Sequence, residues 1–77
     1  MYILTTHFLN GTVTIGVSTL GINSETFSDA IQKVKNLPAY KLATNILEND
    51  TILSFNLPKN NDIFISCYLK NEKLEII

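Results

Sequence analysis

The stretch YILTTHFLNGTVTIGVST, residues 2–19, contains two strand-like runs that meet at Asn10-Gly11. Asn-Gly is the strongest short-range signal for a β-hairpin, because both central residues of a type I′ turn need a positive φ and these two residue types tolerate it. A two-residue loop at this point pairs Leu9 with Thr12, and the resulting register sorts the side chains onto two faces. The sequence therefore predicts an N-terminal hairpin.

The predicted hairpin has one apolar face and one mixed face. The apolar face is expected to be buried and consists of Leu4, Phe8, Val13, Ile15 and Val17. The mixed face consists of Ile3, Thr5, His7, Leu9, Thr12, Thr14, Gly16 and Ser18. A glycine in the middle of a strand often marks a β-bulge or the close approach of another chain, and Gly16 occupies such a position.

Two helices are predicted after the hairpin. Ser24 can cap the first helix, which ends before Pro38 because the residue before a proline resists helical geometry. Its apolar residues recur at helical spacing and are Phe27, Ala30, Ile31, Val34 and Leu37. In the segment 39–49 the apolar residues fill one arc of a helical wheel, which indicates a second amphipathic helix.

The segment 38–48 has an alternative interpretation. In that alternative, residues 41–48 form a strand that turns at Asn49-Asp50. The helix is preferred because the strand would leave Leu47 on a polar face.

Alternating runs after residue 50 predict a meander of three strands. In 51–57 and 63–69 one face is apolar and consists of Leu53, Phe55, Leu57, Ile63, Ile65, Cys67 and Leu69. A turn at 71–72 leads to a third strand over 74–77. The fold expected for residues 1–77 is a single α+β domain. It is an antiparallel sheet of about five strands, in the element order ββααβββ, with two helices packed on one face.

Composition narrows the classes of function. All six basic residues are lysines and the net charge is −1, and the lack of arginine counts against a nucleotide or nucleic-acid site. Cys67 is the single cysteine and cannot form a disulfide within the chain, which favours a reducing compartment. The N-terminal residues do not resemble a signal peptide, and no apolar stretch approaches the length of a membrane span. We therefore expect a cytoplasmic protein without a membrane partner.

No group of residues predicts catalysis, a cofactor or a metal. His7 is the only histidine, and a general base also needs a positioned partner. Tyr68, Ser66 and Thr5 are available, but no spacing in the sequence selects them. One histidine and one cysteine, with Cys67 predicted on the opposite face, cannot form a zinc site in a single chain. The protein is expected to be non-enzymatic and to bind no cofactor.

The sheet face that the helices do not need carries several apolar and aromatic side chains. The interaction face predicted there consists of Ile3, His7, Leu9, Ile52, Phe64 and Tyr68. The preferred hypothesis is a protein-interaction module, such as a small inhibitor, adaptor or regulator. It would form a homodimer or bind a protein target through this open face or through an exposed edge strand.

Two alternatives to this hypothesis stay open. Single-stranded nucleic acid could stack on Phe64 and Tyr68, although the lysines are few and dispersed. A small-ligand protein, or an enzyme that uses His7 with Tyr68, would have a pocket near His7.

Overall fold

The computed structural model describes residues 1–73. They form a mostly β structure, a five-stranded antiparallel sheet with one α-helix and one 3-10 helix. The elements in chain order are β1 (Tyr2–Asn10), β2 (Val13–Ile22), α1 (Phe27–Lys35), the 3-10 helix (Pro38–Leu42), β3 (Thr44–Glu48), β4 (Ile52–Asn60) and β5 (Ile63–Lys70). The prediction of an antiparallel sheet of about five strands is confirmed, but one of its strands, β3, comes from the segment predicted as the second helix, and that helix is not confirmed. The strand predicted over 74–77 lies outside the described residues.

The order of strands across the sheet is β2-β1-β5-β4-β3. The chain leaves β2 at one edge, crosses one face of the sheet as α1 and the 3-10 helix, and enters β3 at the opposite edge. It then returns through β4 and β5, and β5 pairs with β1. In the part of the chain that the structure describes, the two edges of the sheet are therefore β2 and β3. Within residues 1–73 no helix is both long enough and apolar enough to cross a membrane.

The hairpin turn lies one residue later than the sequence predicts. Asn10 pairs with Val13, so the loop is Gly11-Thr12. Gly11 has a φ of +62°, and it is the only residue of this turn with a positive φ. A positive φ at the first loop residue alone fits a type II′ turn, whose first central position favours glycine. The predicted type I′ turn would need a positive φ at both central positions.

A β-bulge in β2 changes the register a second time. Leu9 pairs with Thr14 but Phe8 pairs with Gly16, so Ile15 is the extra residue of the bulge. Beyond the bulge, Val17 pairs with His7 and therefore lies on the opposite face of the sheet from the one predicted.

The prediction for the buried face of the hairpin is correct for β1 and wrong for β2. Leu4 is buried and Phe8 is half-buried. Val13, Ile15 and Val17 are all exposed. The bulge moves Val17 to the other face, whereas the displaced turn leaves Val13 on the predicted face. Val13 is exposed because β2 is an edge strand that α1 covers only near its end at Ile22.

The core lies between α1 and the middle of the sheet. The helix begins after Thr26, whose Oγ1 accepts a hydrogen bond from the Asp29 backbone N–H at 3.1 Å. Ser24, predicted as the cap, is buried instead. The buried apolar residues of the helix are Phe27, Ala30, Ile31 and Val34, as predicted. They pack against Tyr2, Leu4, Ile22, Leu53, Phe55, Cys67 and Leu69.

The segment predicted as the second helix forms the 3-10 helix and β3 instead. Tyr40 of the 3-10 helix packs the edge of its ring against Phe55, with the ring centroids 5.0 Å apart. The following strand pairs with β4, so the strand alternative describes 44–48 correctly. The helix prediction was wrong because it required Leu47 to be buried, whereas Leu47 is 54% exposed.

An ion pair joins the end of α1 to β3. Lys35 Nζ lies 2.6 Å from Glu48 Oε1. This hydrogen bond holds the pKa of the Lys35 ammonium above its ordinary value.

The hairpin between β4 and β5 has the predicted faces. Leu57 pairs with Ile65, and the loop is Asn61-Asp62. The register shifts between Leu57 and Asn60, and this irregularity allows the apolar residues of the two strands to lie on one face.

Candidate interaction surfaces

The face of the sheet opposite α1 is here named the open face. It is formed by alternate residues of the strands, and β1 and β5 are its central strands. All six residues of the predicted interaction face lie on it, namely Ile3, His7, Leu9, Ile52, Phe64 and Tyr68. Their role in binding stays a prediction.

His7 and Tyr68 form a stacked pair in the middle of the open face. Their ring centroids are 5.4 Å apart with 19° between the ring planes. His7 Nε2 lies 3.4 Å from Tyr68 Oη. Ser66 lies opposite His7 in the ladder, and Thr5 lies opposite Tyr68. Tyr68, Ser66 and Thr5, the three hydroxyl residues considered as partners of His7, therefore lie with it on the same face.

Exposed Phe64 and half-buried Tyr68 on the open face each have a lysine ammonium group near the ring. Lys70 Nζ lies 5.5 Å from the centroid of Tyr68, and Lys59 Nζ lies 5.0 Å from the centroid of Phe64. Both distances are in the range of cation–π interactions. The Tyr68 ring thus contacts both His7 and Lys70, and Phe64, at 50% exposure, is the more accessible aromatic surface.

A shallow pocket of about 280 Å³ lies next to the His7–Tyr68 pair. Its lining residues are Ile3, Thr5, Tyr68, Lys70 and Glu72. The pocket is thus displaced from the predicted position near His7 toward the start of β1.

A larger cleft of about 600 Å³ lies between α1 and the turn that joins β3 to β4. The polar groups of this turn bond to one another. Asn49 Oδ1 accepts hydrogen bonds from the backbone N–H groups of Thr51 and Ile52, and Asn71 Nδ2 donates to the Asp50 carbonyl. These hydrogen bonds stabilise the turn itself, which is a sufficient structural reason for its polar residues.

Cys67 is buried on the α1 side of the sheet, as predicted. Its Sγ lies 3.4 Å from Thr6 Oγ1. Burial raises the pKa of the thiol, and the hydrogen bond with Thr6 offsets part of this rise. A buried protonated thiol is a weak nucleophile. In residues 1–73 no three His, Cys, Asp or Glu side chains are grouped so that they could hold a metal ion.

The edge at β2 is long and carries no formal charge. Residues 1–24 contain no Asp, Glu, Lys or Arg. The large apolar side chains exposed along β2 are Val13, Ile15, Val17 and Leu20, with exposures between 47% and 62%. Edge strands are commonly protected from pairing by charge, proline, short length or a bulge. β2 has only the bulge, and beyond it residues 16–22 pair one to one with β1.

The edge at β3 is shorter, has a charged residue and is irregular over most of its length. β3 has 5 residues, against 10 in β2. Its ladder with β4 is interrupted between Thr44 and Leu47, and Asn45 has a φ of +52°. Glu48 adds a carboxylate at its end. This edge is therefore protected, whereas the β2 edge is not.

The β2 edge is the surface that the sequence left unidentified. The hypothesis of an exposed edge strand does not identify the strand, because local sequence patterns do not give the order of strands in the sheet. The uncharged segment 1–24 is the signal that could have indicated it, since a strand protected from pairing usually carries charge.

The chain matches no protein-family model, no curated protein and no solved structure. The function is therefore inferred from the geometry of the β2 edge and of the open face.

Proposed function

We propose that this protein is a non-enzymatic interaction module that binds its partner by strand addition to the outer edge of β2, which pairs with no second strand within residues 1–73. The observation that supports this most is the uncharged, proline-free edge, which is regular over residues 16–22. In strand addition, an extended segment pairs its backbone with the unpaired N–H and C=O groups of an edge strand. A role as a small inhibitor, adaptor or regulator is compatible with this binding mode.

Both sides of the β2 edge offer apolar contacts to an added strand. Val17 lies on the open face next to His7, and Leu20 pairs with Leu4 and lies on the α1 side. Val17 is 56% exposed and Leu20 is 47% exposed. Each backbone hydrogen bond contributes about 0.5–1.5 kcal/mol net, and burial of apolar surface adds roughly 25 cal/mol per Å². Affinity would thus come from the ladder, and specificity from these flanking side chains.

The open face supplies the second part of the proposed interaction surface. A partner that extends from the added strand across the sheet meets Val17 of β2, then His7 of β1 and then Tyr68 of β5, and Phe64 lies four residues from Tyr68 along β5. The predicted interaction face therefore adjoins the β2 edge.

A synthetic peptide tests the proposed binding mode. The probe has the sequence of residues 13–22, with lysines added at both ends for solubility and a fluorophore at one end. We expect its fluorescence anisotropy to rise on titration with the protein, and the outward-pointing amides of β2 to exchange hydrogen more slowly at saturation. The matched protein variants are Val17→Lys, which should weaken binding at least tenfold, and Leu47→Lys on the protected edge, which should not.

The peptide experiment also has a clear negative result. A control peptide with proline at alternate positions cannot form a ladder and should not bind. If the unmodified peptide binds no better than this control and leaves β2 exchange unchanged, strand addition is wrong.

Binding of single-stranded nucleic acid on Phe64 and Tyr68 is the second candidate. Lys59 and Lys70 favour it, since cations beside aromatic rings are typical of stacking platforms. The contacts of Tyr68 with His7 and Lys70 count against it, because a base must displace them to stack. Titration of labelled oligothymidine at low ionic strength distinguishes the two, and binding that falls steeply with salt would support the nucleic-acid function.

A further inference from the structure

We infer that the strand added to β2 is the β2 strand of a second copy of this chain. The two copies pair antiparallel about a two-fold axis, and their five-stranded sheets join into one sheet of ten strands. This inference depends on the proposed strand-addition function and identifies the partner for it.

The charge distribution permits β2 to pair with itself. In an antiparallel homodimer, β2 of one copy pairs with β2 of the other. A charged side chain in β2 would therefore lie opposite either the same kind of charge or an uncharged side chain. Like charges opposite each other destabilise a ladder. Because residues 1–24 contain no Asp, Glu, Lys or Arg, no register of β2 against β2 brings like charges together.

The composition of β2 also suits a symmetric ladder. Valine, isoleucine and threonine make up six of the ten residues of the strand, and β-branched residues pack well on neighbouring strands. The small residues Gly16 and Ser18 allow close approach.

The bulge in β2 fixes the position of the axis. The regular ladder of β2 spans residues 16–22, and Thr19 is its middle residue. A two-fold axis at Thr19 pairs 16–22 of both copies and keeps both bulges outside the shared ladder. This axis places the two Thr19 side chains opposite each other.

The other edge explains why assembly stops at two copies. A chain with two open edges would continue to add copies and form a fibre, whereas a symmetric contact at one edge closes. The short length of β3, its irregular ladder and Glu48 prevent further addition there. Neighbouring strands lie about 4.8 Å apart, so the two β3 edges of the dimer would be separated by roughly 43 Å.

Sedimentation velocity with charge variants at the axis tests the inference. We expect the wild-type protein to be a dimer at micromolar concentration, and Thr19→Lys and Thr19→Glu each to be monomeric. Mixing these two variants should restore a dimer, because the opposite charges would then face each other. The matched control is Thr44→Lys, since Thr44 is also an exposed threonine on the open face of an edge strand. Thr44→Lys should remain dimeric.

Each other outcome contradicts a defined part of the inference. A wild-type monomer at high concentration would overturn self-association, and strand addition would still stand if the peptide of residues 13–22 protects β2. A dimer that persists in both Thr19 variants would show that self-association uses another surface. Two monomeric variants that remain monomeric when mixed would overturn the axis at Thr19. Far-ultraviolet circular dichroism verifies that each variant is folded.

Discussion

Gly11 determines where the N-terminal hairpin turns. Its φ of +62° lies in the left-handed region that side chains with a Cβ disfavour. A Cβ added at Gly11 would meet no atom within 4 Å. The requirement for glycine is therefore one of backbone conformation alone, without a steric contribution from neighbours.

Substitution of Gly11 tests this interpretation. We expect Gly11→Ala to lower the free energy of unfolding by about 1 kcal/mol, and Gly11→Asn to cost less because asparagine tolerates a positive φ. Urea denaturation of the two variants and the wild type measures the difference. Equal stability of Gly11→Ala and the wild type would show that another turn geometry is available.

Burial also controls the ionisation of a single residue, Cys67. Its side chain is 2% exposed, and burial raises the pKa of the thiol. In the unfolded chain the thiol titrates near its ordinary pKa of about 8.5. Unfolding at a higher pH therefore releases a proton, so the contribution of Cys67 to stability is fully present below this pKa and is lost as the pH rises toward the folded value.

Thiol titration and pH-dependent unfolding test the state of Cys67. We expect a chromogenic disulfide reagent to react slowly with the native protein and at once in denaturant. Between pH 7 and pH 10 the wild type should lose more stability than Cys67→Val, which has no group that titrates at this position. Fast labelling of the native thiol, or equal pH dependence in both proteins, would show that Cys67 is accessible.

At the scale of elements, the sequence predicts α1 well and the segment after it poorly. The apolar positions of α1 recur with helical period, and the structure buries four of the five. The same reasoning fails over 38–48 because it assumes that an apolar side chain must be buried. Leu42, Ile46 and Leu47 are all at least half exposed. The spacing of these apolar residues therefore does not indicate a buried helix face.

The 3-10 helix is anchored through Tyr40, which packs against Phe55. We expect Tyr40→Ala to lower the free energy of unfolding by about 2 kcal/mol, because it removes a half-buried aromatic ring and its edge-to-face contact. Leu42→Ala, in the same element and 60% exposed, should change it by less than about 0.5 kcal/mol. Thermal or urea denaturation gives both values. A larger loss for Leu42→Ala than for Tyr40→Ala would contradict this packing.

At the scale of the whole molecule, strand order is the feature that local patterns do not encode. Alternation within β1 and β5 correctly places His7 and Tyr68 on one face. Their contact joins residues 61 positions apart in the chain, and no spacing rule selects such a pair. The identity of the free edge depends on the same long-range pairing. The residues of the predicted interaction face could therefore be assigned from local alternation in the sequence. The adjoining β2 edge could not, because its position depends on the strand order.

Hydrogen exchange of the backbone amides, resolved by nuclear magnetic resonance in the intact protein, tests most directly whether a second copy covers the β2 edge. In an edge strand alternate amides point away from the sheet. We expect the outward amides within 16–22 to exchange slowly at high protein concentration and faster on dilution, while the outward amides of β3 exchange fast throughout. Outward β2 amides that exchange as fast as those of β3 at every concentration would show that no second copy covers the β2 edge.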